Sequence, residues 1–224
     1  MRSELLAALL ALTGLTAGAA ESVREQEIAE CRPGEIATWA DGRDRPALSN
    51  PLLFVYWNSG APAWFSDEKL MQVLERSSKA WAGCGIPSRV LALVGNAPLP
   101  PGAVVVQWSE AGSRGNFGLA NLGQRTLALS PAMFQLLRTR NPSYPAEQTL
   151  QMVVSHEMGH FFGLMAHSRR CVDVTSYYND GKGGSCFARD LSQLKSVVEY
   201  RSILPTACDI QRCRLANGLP AKPQ

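Results

Sequence analysis

The stretch Val153-Val154-Ser155-His156-Glu157-Met158-Gly159-His160-Phe161-Phe162-Gly163-Leu164-Met165-Ala166-His167 contains all three histidines of a 224-residue chain. An α-helix turns once per 3.6 residues, so His156 and His160, four apart, project from one face and can grip one ion. Glu157 lies roughly 100° around the helix from His156, near enough to reach a metal-bound water without becoming a ligand, which suits a general base. Imidazole ligands favour zinc, and a hydrolytic zinc site combines three protein ligands with an open fourth position. His156 and His160 supply two of the three. Gly163 accepts a left-handed conformation cheaply and stands where glycine commonly follows a helix, letting the chain turn back towards the ion. His167 lies on that returning segment and is the expected third ligand.

With this glycine and the histidine after it, the run from His156 to Ser168 resembles the metzincin metallopeptidases, most closely their matrixin-type members. The family spacing puts its third histidine at position 166, which is Ala166 here. His167 comes one residue later, a difference that a loop after Gly163 absorbs and a helix could not. Val174-Thr175-Ser176-Tyr177 resembles the family's methionine-containing turn below the metal, with Thr175 in place of methionine. The resemblance implies an α+β catalytic domain: a small, twisted, mostly parallel sheet, an active-site helix and a C-terminal helix, in two lobes around a zinc cleft. It implies a zinc endopeptidase in which Glu157 takes a proton from the metal-activated water. Tyr177 matches a family tyrosine near the zinc and would donate a hydrogen bond to the oxyanion; an ordinary turn tyrosine is the alternative. In the family the last strand before the helix borders the cleft, so Leu127 to Leu129 would pair with an extended peptide or else form a plain edge strand.

Residues 1–20 open with Arg2, pass through an apolar stretch from Leu5 to Leu12, and end in Thr16-Ala17-Gly18-Ala19-Ala20. That stretch is too short to span a bilayer and small residues offer a cleavage site, so a signal peptide and a secreted or periplasmic protein are expected. The remainder divides into an N-terminal arm (21–50), the metzincin-like domain (51–204) and a disulfide-tied tail (205–224). A net charge of +3 without a lysine-arginine run points to neither nucleic acid nor membrane as partner. A protein or peptide substrate and a monomer are expected. Six cysteines in an exported chain imply disulfides. Nearness in sequence favours Cys171 with Cys186 and Cys208 with Cys213, leaving Cys31 with Cys84. Cys31-Arg32-Pro33-Gly34 invites comparison with the zinc-blocking propeptide cysteine of many matrixins, but the surrounding motif is absent and a structural disulfide is the better reading.

From 21 to 50 the chain is polar and without a sustained period, which predicts an extended arm. Leu52 to Trp57, Val90 to Val94 and Ala103 to Trp108 have strand character, and the turn from Asn96 to Gly102 is rich in proline. Ser66 can cap a helix that continues to Trp81 and stops at Gly83 and Gly85. Gly112 to Gly123 carries no phosphate-binding pattern and is expected to be a loop, followed by a strand from Arg125 to Ser130. Met133 to Arg138 predicts a short helix, and Pro145 suits the start of the helix that carries the histidines. Asp190 would cap a last helix with the apolar stripe Leu191, Leu194, Val197, Val198 and Tyr200.

Other functions fit the same residues. One is a zinc peptidase whose third ligand is acidic, with Asp173 and Glu199 as candidates. Another is an exported zinc-binding or interaction protein without turnover, and a third is a purely structural protein without metal.

Overall fold

The computed structural model describes residues 22–95 and 97–221. The expected signal peptide, residues 1–20, and Asn96 at the start of the proline-rich turn lie outside the described residues. Helix α1 (Val23–Ala29) is followed by strand β1 (Leu52–Trp57), helix α2 (Asp67–Trp81) and strands β2 (Ser88–Ala92) and β3 (Val104–Trp108). A single turn, α3 (Glu110–Ser113), leads to β4 (Gly118–Asn121), β5 (Thr126–Leu129), α4 (Pro131–Arg140) and α5 (Ala146–Phe161). Two further helices, α6 (Leu191–Ser196) and α7 (Ala207–Ala216), follow. The sheet order is β2-β1-β3-β5-β4, parallel throughout except that β4 runs antiparallel to β5. The chain is therefore α+β with a five-stranded, mostly parallel sheet.

Alternate strand residues point to one side of a sheet. Leu52, Phe54 and Tyr56, Val104, Val106 and Trp108, and Leu127 and Leu129 accordingly enter one buried cluster with Leu74 and Trp81 of α2 and Leu150, Val154 and Phe161 of α5. Phe54 meets the Phe161 ring edge-on at 5.8 Å. The contact between α2 and α5 is also polar: Trp81 Nε1 donates to the Ser155 carbonyl at 3.0 Å, and Gln151 Nε2 donates to Ser77 Oγ at 2.7 Å. Buried bonds of this kind are costly to leave unmade, so they fix the rotation of α5 about its axis. That rotation decides which face carries His156 and His160.

Local sequence explains where the helices begin. Ser66 Oγ accepts from Lys69 N, Ser130 Oγ accepts from Met133 N, and Pro145 immediately precedes α5. Several expectations need correction. Leu127 to Leu129 is an interior strand flanked by β3 and β4, and the sheet edge is β4, inside the segment expected to be a loop. Gly118 is a close-approach glycine: a Cβ there would lie 2.6 Å from Val153 Cγ1 and 2.9 Å from Glu157 Cγ, so only glycine lets β4 lie against α5. The arm is not wholly extended, because Ser22 and Glu25 form a capping box that starts α1. Asp190 does cap a helix, but α6 ends at Ser196 and leaves Val197 and Val198 exposed. The closing helix is α7, begun by a second capping box between Thr206 and Asp209.

The disulfides are Cys31–Cys208, Cys84–Cys213 and Cys171–Cys186. Only the last follows nearness in sequence. Cys208 and Cys213 both lie on α7, where five residues rotate side chains about 140° apart, so they face different partners. Cys208 holds the arm and Cys213 holds the end of α2. Three disulfides fit an extracellular protein, and among the described residues no helix is long and apolar enough to cross a membrane. Non-reducing peptide mapping is expected to recover Cys31 linked to Cys208 and Cys84 linked to Cys213; a Cys208–Cys213 peptide would contradict this arrangement.

Candidate metal centre

Helix α5 presents His156, Glu157 and His160, and the segment after Gly163 brings back His167. The three imidazole centroids lie 5.2, 5.2 and 5.3 Å apart, a nearly equilateral triangle. One ring nitrogen from each lies within 4.8 Å of the other two. Each Nδ1 already has a partner: the Val174 carbonyl for His156 at 2.8 Å, the Leu164 carbonyl for His160 at 2.7 Å, and Asp41 Oδ2 for His167 at 2.6 Å. Carbonyl and carboxylate oxygens only accept, so Nδ1 carries the proton and Nε2 keeps its lone pair. His167 Nε2 is buried and has no hydrogen-bond partner among the described residues. Burial, together with repulsion between the rings, holds His156 well below the usual imidazole range, and burial brings His160 down to about 4. Burial also lowers His167. Neutral imidazole is the ligating form, so this donor set fits a zinc-like ion.

The position of His167 depends on the N-terminal arm. Gly163 has φ 110°, and a Cβ there would fall 2.0 Å from the Arg45 carbonyl oxygen. Only glycine permits both the turn and that approach. Arg45 N donates to the Gly163 carbonyl, Asp44 Oδ1 accepts from Met165 N and Ala166 N, and Asp41 Oδ1 accepts from His167 N. Held in this way, the loop turns Ala166 into the interior and His167 to the centre. Burial raises the Asp41 carboxyl, but the hydrogen bonds from the His167 backbone and ring outweigh it and hold Asp41 below the ordinary carboxylate range.

The floor is set by α7. Asp209 accepts from Val174 N at 2.9 Å and from Thr175 Oγ1 at 2.6 Å, and so fixes the turn whose carbonyl orients His156. Gly159, between the two helical histidines, explains how Thr175 fits beneath them. A Cβ there would be 2.9 Å from the Trp81 ring and 3.2 Å from the Thr175 methyl.

Glu157 is buried beside the centre, and its Oε2 accepts from Ala120 N of β4 at 2.8 Å. Burial pushes its carboxyl up to about 7. Tyr177 stacks on His167 with centroids 3.8 Å apart and remains 44% exposed, so its ring forms part of the rim. Burial and the Glu157 charge raise its phenol, which stays protonated at neutral pH. A cleft of about 510 Å³ opens over the histidines, bordered by β4 and Tyr177.

The alternative acidic ligands are elsewhere. Asp173 is enclosed by Ser168 Oγ at 2.6 Å, Thr206 Oγ1 at 2.6 Å and Arg170 Nη1 at 3.2 Å. Glu199 lines the cleft, but it is paired with Arg201 and does not join the histidine cluster. Two contributors have no signature in the sequence. Asp41 lies 126 residues from His167, and Asp209 lies 34 residues from Thr175; neither separation matches a motif.

Asp41→Ala removes the carboxylate that fixes the His167 ring, and loss of such a partner typically weakens metal affinity by about 10- to 100-fold. A zinc titration against a chelator should register that loss while the fold, followed by circular dichroism, is retained; unchanged affinity would remove Asp41 from the centre.

No family model matches the chain, and no curated protein matches its sequence. A solved structure titled "GM1 bound form of the ECX AB5 holotoxin" is similar to it over 79% of this chain and 87% of that chain, with 11% identity and a TM-score of 0.48.

Proposed function

We propose that the chain is an exported zinc endopeptidase of metzincin type acting on protein or peptide substrates. The observation that carries this reading is the set of three imidazoles with every Nδ1 occupied and every Nε2 left for one ion, next to a buried carboxylate in an open cleft. Zinc held by His156, His160 and His167 would supply Lewis acidity towards a scissile carbonyl and towards a water molecule. The protein's own part is proton transfer and orientation. Ala120 N–H holds one oxygen of Glu157, and Oε1 is the free oxygen that takes the proton of the attacking water and passes it to the leaving amine. The Tyr177 hydroxyl donates a hydrogen bond to the substrate oxygen as it gains charge. Strand β4 is a sheet edge on the cleft, where an extended substrate can add by backbone pairing.

The test compares the unmutated chain with Glu157→Ala for metal content and for cleavage of an unstructured protein. One zinc per chain is expected in both, with hydrolysis falling by about 10²- to 10⁴-fold in the variant. Zinc in both with cleavage by neither would select an exported zinc-binding protein, and zinc loss from the variant would make Glu157 structural.

A further inference from the structure

The cleft continues past the histidines. Its walls beside Val153 are apolar, formed by Leu119, Leu137 and Met152, and it then becomes polar at Tyr144, Thr149, Glu199 and Arg201. A second cavity of about 480 Å³ shares these polar residues and carries Arg24 as well. A side chain with an apolar stem and a polar tip matches that change in the walls.

The pairing at the far end decides the sign of the tip. Glu199 is fully engaged: Oε1 accepts from Arg201 N and Arg201 Nε, each at 2.9 Å, and from the Tyr178 hydroxyl, and Oε2 accepts from Arg201 Nη2 at 2.7 Å. Arg201 commits only the Nε/Nη2 edge of its guanidinium to this pair, and Nη1 lies outside it. Arg24 donates to the Tyr200 and Arg201 carbonyls and lies over the Tyr200 ring at 5.7 Å, and among the described residues it forms no ion pair with a carboxylate. Two cations therefore face one anion at this end. Arg201 lines the same cleft as His156, His160 and His167.

We infer that this extension of the cleft selects peptides with an acidic side chain, recognised by Arg201 with Arg24 supporting it. The inference rests on the peptidase reading. Arg201 is a specificity determinant and takes no part in the proton transfers assigned to Glu157.

The experiment measures binding rather than turnover. Fluorescent, otherwise neutral peptides with Glu, Gln, Leu or Lys at one position, moved stepwise along the peptide, are titrated by anisotropy into zinc-loaded Glu157→Ala chain. Glu at one position is expected to bind about tenfold more tightly than Gln or Leu, as a charge-assisted bidentate contact supplies. Because Arg201→Met alone strands Glu199, the double variant Glu199→Gln/Arg201→Met removes the pair together and should abolish the preference. Glu199→Gln, which keeps Arg201, should retain or enlarge it. Equal binding of the four peptides, or a preference for Lys, would overturn the inference and leave the peptidase reading intact. Failure of every peptide to bind would count against both.

Discussion

Three imidazoles can serve one ion only if each ring is held with its free nitrogen towards the same point. That requirement organises much of this protein. Each ring is oriented by one hydrogen bond from Nδ1, and the three acceptors come from different parts of the chain. Leu164 is local to α5. Val174 belongs to a turn held by Asp209 of α7, and Asp41 belongs to the N-terminal arm. A site built in this way depends on elements remote from the motif, and those elements have to be immobilised against the body.

The disulfides meet that need. Cys31–Cys208 ties the arm to α7 across 177 residues of sequence, and Cys84–Cys213 ties α7 to the end of α2 across 129. Cross-links closing long loops restrict the unfolded chain most in the chain-entropy account. Here they also form a connected frame: arm to α7, α7 to α2, and α2 to α5 through the Trp81–Ser155 bond. An oxidising compartment therefore matters for the geometry of the centre as well as for stability. The Asp44–Arg212 ion pair at 2.8 Å gives the arm a further, partly buried attachment to α7 beside the loop that carries His167.

The parts legible in the sequence were those governed by short-range rules. His156, Glu157 and His160 follow from helical spacing, and Gly163 from the need for a positive φ. Ser66 as a cap and the alternation in β3 are equally local. What stayed hidden was long-range. Nothing in Asp41-Gly42-Arg43-Asp44 announces a partner for His167, because a carboxylate in a polar segment has the same local signature whether it is solvated or orients a ring. Strand β4 was obscured by its glycine, whose lack of a side chain serves contact with Val153 and Glu157 rather than a turn. The cysteine pairing is hidden because nearness in sequence ignores which way a helix points its side chains. The apolar stripe after Asp190 outlasts its helix: Val197 and Val198 have helical spacing but no surface to bury against.

The central proposal is that His156, His160 and His167 bind a zinc ion through Nε2 with a fourth position open. X-ray absorption at the zinc edge on the purified chain tests it most directly. Three imidazole nitrogens at about 2.0–2.1 Å with one further light ligand is the predicted result. Absence of stoichiometric zinc, sulfur in the coordination shell, or an unchanged spectrum in His167→Ala would contradict it.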